Sequence, residues 1–159
     1  MLRSGTKKVP NKITKQFIIQ NTEYFLESRF HQWKIYVWKQ IVLLVVAGNW
    51  NPNNYGCYFR QFWDLFYERR RYWDLIYFII DTNNMPIQTE DFRGYVKENW
   101  SHLLDQNDLC ICLVESDTMK RLIWFSIYQL MDKQDRIKIF KNHERAFSWM
   151  RRNCVFNEV

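Results

Sequence analysis

A chain of 159 residues, with 47% apolar and 25% charged side chains, has the length and composition of one globular domain that can bury a core without disulfides or a metal. Only 4 glycines and 3 prolines argue against glycine-rich phosphate loops and linker sequence, whereas 12 Phe, 9 Tyr and 8 Trp make a heavy aromatic load. Lys and Arg outnumber Asp and Glu by 23 to 17, and the resulting +6 speaks for acidic partners only where the cations cluster.

The longest apolar run, Ile41–Ala47, is far shorter than the about 20 residues that cross a bilayer, so no membrane span is expected. Met1–Gln20 is basic and lacks an apolar signal core. Of the cysteines Cys57, Cys110, Cys112 and Cys154, none forms a CxxC pair. Cys110 and Cys112 would share one face of a strand, a poor geometry for a mutual bridge or a zinc site. They read as reduced core thiols of a cytoplasmic protein, with no metal and no cofactor implied.

In chain order, residues 1–28 read as a basic tail with an uncertain extension. Ile13–Ser28 fits a short helix or an extra edge strand, and Lys7, Lys8, Lys12 and Lys15 supply the charge. Residues 29–152 read as the single domain and residues 153–159 as a C-terminal tail. Trp33–Trp38 alternates with a period of two, Lys39-Gln40 breaks the pattern, and Ile41–Ala47 runs apolar: a hairpin whose second strand is buried on both faces. After the turn formers Gly48–Asn54, aromatics from Tyr55 to Tyr67 recur at helical spacing, and Arg69, Arg70 and Arg71 follow at the negative end of that helix.

Leu75–Ile80 reads as a buried strand ending at Asp81, with a loop over Thr82–Gln88. Thr89 would cap a helix carrying Glu90 and Asp91 in its first turn. Leu109–Val114 is a further buried strand, and Ser116 or Asp117 caps the next helix. Ile137–Phe140 is a short strand, after which Asn142 caps a last helix. The order β-β-α-β-α-β-α-β-α implies an α/β fold, a mainly parallel sheet entered by a β-hairpin and covered by helices.

Several segments together resemble a known family. Gly48-x-Trp50-Asn51 follows the hairpin, Trp73-Asp74-Leu75 leads to Asp81, and the chain closes on Arg136-Ile137-Lys138-Ile139-Phe140-x-Asn142-x-Glu144-x-Ala146-x-x-Trp149. Over roughly residues 30 to 150 this resembles the STAS-like family, the fold of the bacterial anti-sigma-factor antagonists, and in particular its short stand-alone members. The resemblance implies a non-enzymatic regulator that works by protein–protein interaction with a kinase or an anti-sigma-type factor. In the phospho-switched antagonists a D-S-S-G motif carries the phosphorylated serine. Its aspartate falls here on Thr89, its serines on Glu90 and Asp91, and its glycine on Phe92, so the phosphorylatable serine is missing.

Independently of the family, open parallel sheets bind partners beyond the carboxyl ends of their strands. That edge gathers Asp81, Asn83, Asn84, Thr89, Glu90, Asp91, Glu115, Ser116 and Asp117. The same residues also serve as caps and turn formers. No catalytic motif is present, and His31, His102 and His143 lie far apart. Basic residues cluster at Arg69–Arg71 and, near the end, at Arg136, Lys138, Lys141, Arg145, Arg151 and Arg152. Arg69–Arg71 beside Tyr72 and Trp73 keeps a small-ligand or nucleic-acid binding module as the alternative, although a solvated helix end accounts for it more simply. Trp63 or Tyr67 left at an exposed edge would allow a homodimer.

Overall fold

The computed structural model describes residues 13–27, 33–47, 55–86, 94, 97–98, 109–128 and 137–153. Its elements are α1 (Lys15–Gln20), β1 (Tyr24–Glu27), β2 (Trp33–Trp38), β3 (Ile41–Ala47), α2 (Tyr55–Arg69), β4 (Ile76–Asn84), β5 (Leu109–Val114), α3 (Thr118–Tyr128), β6 (Ile137–Phe140) and α4 (His143–Asn153). The strands form one six-stranded sheet in the order β1-β2-β3-β4-β5-β6. The pairs β1–β2 and β2–β3 are antiparallel, and β3–β4, β4–β5 and β5–β6 are parallel.

This order decides where the helices go. The chain steps from β3 to β6 always in one direction, and right-handed crossovers then place the connecting helices on one face. Leu65 and Phe66 of α2 and Trp124 of α3 accordingly pack on Ile35, Leu44, Phe78 and Leu113. α4 follows the last strand and is no crossover. It covers the opposite face together with α1, through Ile18, Ala146, Phe147 and Met150 against Leu43, Tyr77, Ile79 and Cys112. Alternation assigns the strand residues to the two layers, so β4 sends Phe78 and Ile80 one way and Tyr77 and Ile79 the other. With both faces covered, β5 is buried at every position, which accounts for its unbroken apolar run LCICLV.

α1 has 6 residues, too few to persist alone. The Thr14 hydroxyl accepts the Phe17 N–H at 3.0 Å, and fully buried Ile18 anchors the helix to the sheet. Ile13–Ser28, for which the sequence left helix and edge strand as alternatives, thus contains both. The sheet is mixed, entered by the three antiparallel strands β1–β3 after a leading helix, so the expected two-strand entry is incomplete. β1 escapes periodicity because it has 4 residues and only Leu26 is turned toward the core, while Tyr24 and Phe25 stay exposed.

β4 also runs to Asn84, three residues beyond the expected end at Asp81, so the first part of Thr82–Gln88 is strand and not loop. Asp81 and Thr82 look like loop residues by polarity, yet both are buried. The turn Lys39-Gln40 closes β2 and β3, with Lys39 at φ 50°, and Gln40 donates through Nε2 to the Leu75 carbonyl at 2.9 Å. The caps of the last two helices are as expected: Asp117 Oδ1 accepts the Lys120 N–H and Asn142 Oδ1 accepts the Arg145 N–H, each at 2.9 Å. Of the expected helix from Thr89, the described residues Gly94, Lys97 and Glu98 are helical, and Thr89, Glu90 and Asp91 lie outside the described residues.

Candidate functional site

Successive residues of a strand face opposite layers, so the carboxyl end of the central strand β4 offers a different polar group to each. Asp81 points toward α1 and α4. Its Oδ2 accepts from His143 Nε2 at 2.7 Å and from Lys15 Nζ at 3.1 Å. Its Oδ1 accepts the backbone N–H of Asn83 at 3.0 Å and the Asn83 Nδ2 at 2.9 Å. The residue is 2% exposed. Burial is the largest single influence on the carboxyl and pushes its pKa up. The hydrogen bonds from His143 and Asn83 and the electrostatic influence of His143 and Lys15 together outweigh it and hold the group well below the usual carboxylate range. A carboxylate only accepts, so His143 Nε2 carries the hydrogen of this contact.

Thr82 points the other way, toward α3. Its hydroxyl donates to Glu115 Oε1 at 2.8 Å. Glu115 is 0% exposed and its Oε1 also lies 3.1 Å from Lys120 Nζ. The ammonium donates further to the Met85 carbonyl at 2.7 Å and the Asn83 carbonyl at 3.2 Å. Arg121 tightens the corner by donating to the carbonyls of Glu115 and Ser116 at 3.0 and 2.9 Å. Asn83 joins the two layers, since its Oδ1 accepts the Ser116 N–H at 2.7 Å and the Ser116 hydroxyl at 2.8 Å while its amide donates to Asp81.

Of the sequence-derived edge residues, the fold brings Asp81, Asn83, Glu115, Ser116 and Asp117 together, and Asn84 ends β4 exposed beside them. Thr89, Glu90 and Asp91 lie outside the described residues. Lys15, His143, Lys120 and Arg121 complete the edge and carry no spacing signal; by sequence alone Lys15 reads as part of the basic tail and His143 as an isolated histidine. The arginines sit at the other end of the sheet, where α2 leads into β4. Arg69 is largely sequestered, donating through Nε and Nη2 to the Lys39 carbonyl at 3.1 and 2.6 Å, with Glu23 3.4 Å from Nη2. Arg70 lies over the rings of Phe66 and Tyr67 at 5.4 and 5.6 Å, and Arg71 is exposed. A continuous three-arginine patch does not result, because Arg69 holds the β2–β3 turn.

The edge has charge, donors and a preformed shape, but its carboxylates are spent on internal partners. Among the described residues, no group of three His, Cys, Asp or Glu side chains is placed to hold a metal ion, and no helix is long and apolar enough to cross a membrane. Beside this edge, one helix shows exposed apolar side chains. On α3, Trp124 and Ile123 face the sheet, while Met119 and Leu122 are each 59% exposed and Phe125 is 52% exposed. Neither known family models nor curated protein sequences match the chain.

Proposed function

We propose that the chain is a non-enzymatic regulatory protein of the STAS-like type, acting in the cytoplasm by binding another protein through α3 and the adjoining carboxyl edge of the sheet. The observation that carries this reading is the exposed apolar row of Met119, Leu122 and Phe125 on a helix whose other side already packs the core. Three large apolar side chains at i, i+3 and i+6 form a contiguous patch, the kind of departure that marks an interaction surface. The edge beside it is held rigid by the Asn83, Ser116 and Lys120 contacts, so little ordering would be lost on binding. Buried free thiols at Cys110 and Cys112 suit a reducing compartment.

The family resemblance supplies the partner class, a regulatory kinase or an anti-sigma-type factor. With Asp91 at the position of the family's phosphorylated serine, a fixed negative charge would stand in place of the family's phosphorylation switch. The test is affinity capture from the host with wild type, Leu122→Asp and Asp91→Lys, followed by reconstitution with the purified, identified partner. Reconstituted binding to a kinase or anti-sigma-type factor that Leu122→Asp abolishes supports the proposal. Binding that survives Leu122→Asp, or capture of nucleic acid that moderate salt releases, overturns it.

A further inference from the structure

The cations near the end of the chain take no part in the site above. Lys141, Arg145 and Arg152 line one open groove of about 650 Å³ on the outer side of α4. Arg145, Ser148 and Arg152 recur at i, i+3 and i+7, one face of the helix, with Lys141 just ahead of the Asn142 cap. All three cations are exposed, and among the described residues none has an ion-pair partner. Glu144 also lines the groove and is itself engaged. The groove starts at Phe140, the last residue of β6, which among the described residues is the outermost strand of the sheet.

We infer that this groove receives an extended acidic segment of a protein, laid beside β6 with its carboxylates on Arg145, Arg152 and Lys141. Two features favour a polypeptide over a nucleic acid. An open strand edge presents backbone donors and acceptors that a peptide strand can match and a sugar–phosphate chain cannot. The charge is also short: Arg145 and Arg152 stand about 10 Å apart along the helix, the reach of roughly three residues of extended chain. Three cations with a carboxylate among them fall below the about 6 to 10 phosphate contacts of a firm nucleic-acid binder. The guanidinium forks suit carboxylates in bidentate pairing. This surface lies on the opposite face of the sheet from α3 and shares with the preceding proposal only the premise that the chain binds proteins.

The experiment is selection of a random heptapeptide library on the immobilised full chain, followed by anisotropy titration of the labelled winner. Titrations use wild type, Arg145→Glu/Arg152→Glu, and Leu122→Asp, with an unlabelled eight-nucleotide oligothymidine as competitor. The expected result is winners rich in Asp and Glu, weakened about tenfold or more by the double charge reversal and unchanged by Leu122→Asp. Both arginines are exposed, so an unchanged melting temperature certifies the double variant's fold. Winners without acidic residues, no winners, affinity that ignores the double variant, or displacement by the oligonucleotide at lower concentration than by unlabelled peptide each overturns the inference.

Discussion

His143, the first residue of α4, and Asp81, near the end of the central strand, lie 62 positions apart in the chain and meet at 2.7 Å, with Lys15 of α1 3.1 Å from the same oxygen. A single buried carboxylate therefore ties both helices of one layer to the sheet. Removing the carboxylate takes away the common partner of His143, which is mostly buried, and of Lys15, which is partly exposed, and this is costly in a way that removing the whole cluster is not. Asp81→Asn is expected to lower unfolding free energy by about 3 kcal/mol, measured by urea denaturation at neutral pH. A loss below about 1 kcal/mol would mean that the contact behaves as a solvent-screened pair.

The same carboxylate fixes an acid limb of stability. Its pKa in the folded chain is depressed, so its contribution is fully present above the ordinary carboxylate value of about 4 and is lost as pH falls toward the depressed folded value. Wild type should thus lose stability faster than Asp81→Asn below about pH 4, and the two urea midpoints should converge. Parallel curves would refute the assignment.

On the other layer, Glu115 is fully buried and Lys120 is its cationic partner. Lys120→Met strands the carboxylate and should cost about 3 kcal/mol. Glu115→Gln combined with Lys120→Met should cost clearly less than the sum of the single changes, because the double variant leaves no unpaired charge. A double-mutant cycle by denaturant titration reads this coupling, and additive losses would show that the two side chains act independently.

Lys39 occupies the left-handed region at the first position of a two-residue hairpin turn, where glycine is free of the steric penalty. Replacing it removes roughly 1 kcal/mol of backbone strain and forfeits a contact of its ammonium over the Trp38 ring at 5.2 Å, worth about 0.5 kcal/mol. Lys39→Gly is therefore expected to be neutral to slightly stabilising in a thermal melt, despite being a glycine substitution next to β-strands. A clear drop in melting temperature would show that the side chain holds the turn.

Burial pushes the Cys112 thiol well above the ordinary thiol range, and the neighbouring Cys110 adds to the shift. Folding stability from this group is full below about pH 8.5 and declines as pH rises toward the raised folded value. Iodoacetamide at pH 8 should leave Cys112 unmodified in the native protein and label it after unfolding, as resolved by peptide mass spectrometry. Rapid native labelling would place the thiol at the surface.

Much of the layer structure is legible in the sequence. Ile41–Ala47, Leu109–Val114 and Ile137–Phe140 are apolar segments of strand length, and the structure gives them the same bounds. Trp33–Trp38 alternates, and Asp117 and Asn142 stand where caps belong. These signals are local: a strand's burial pattern repeats every two residues and a cap acts within three, so both are written in neighbouring positions. The edge strand β1 leaves almost no such mark, since a short edge strand buries too little for its pattern to register.

Tertiary structure decided the rest. That Asp81 and Thr82 are buried and paired, that β4 outlasts its apolar run, that Lys15 and Arg69 serve the fold, and that His143 meets Asp81 all depend on elements brought together from 30 to 66 positions away. A charge pair between distant elements has no spacing in the chain. It exists only once apolar burial has set the order of the strands and the faces the helices cover.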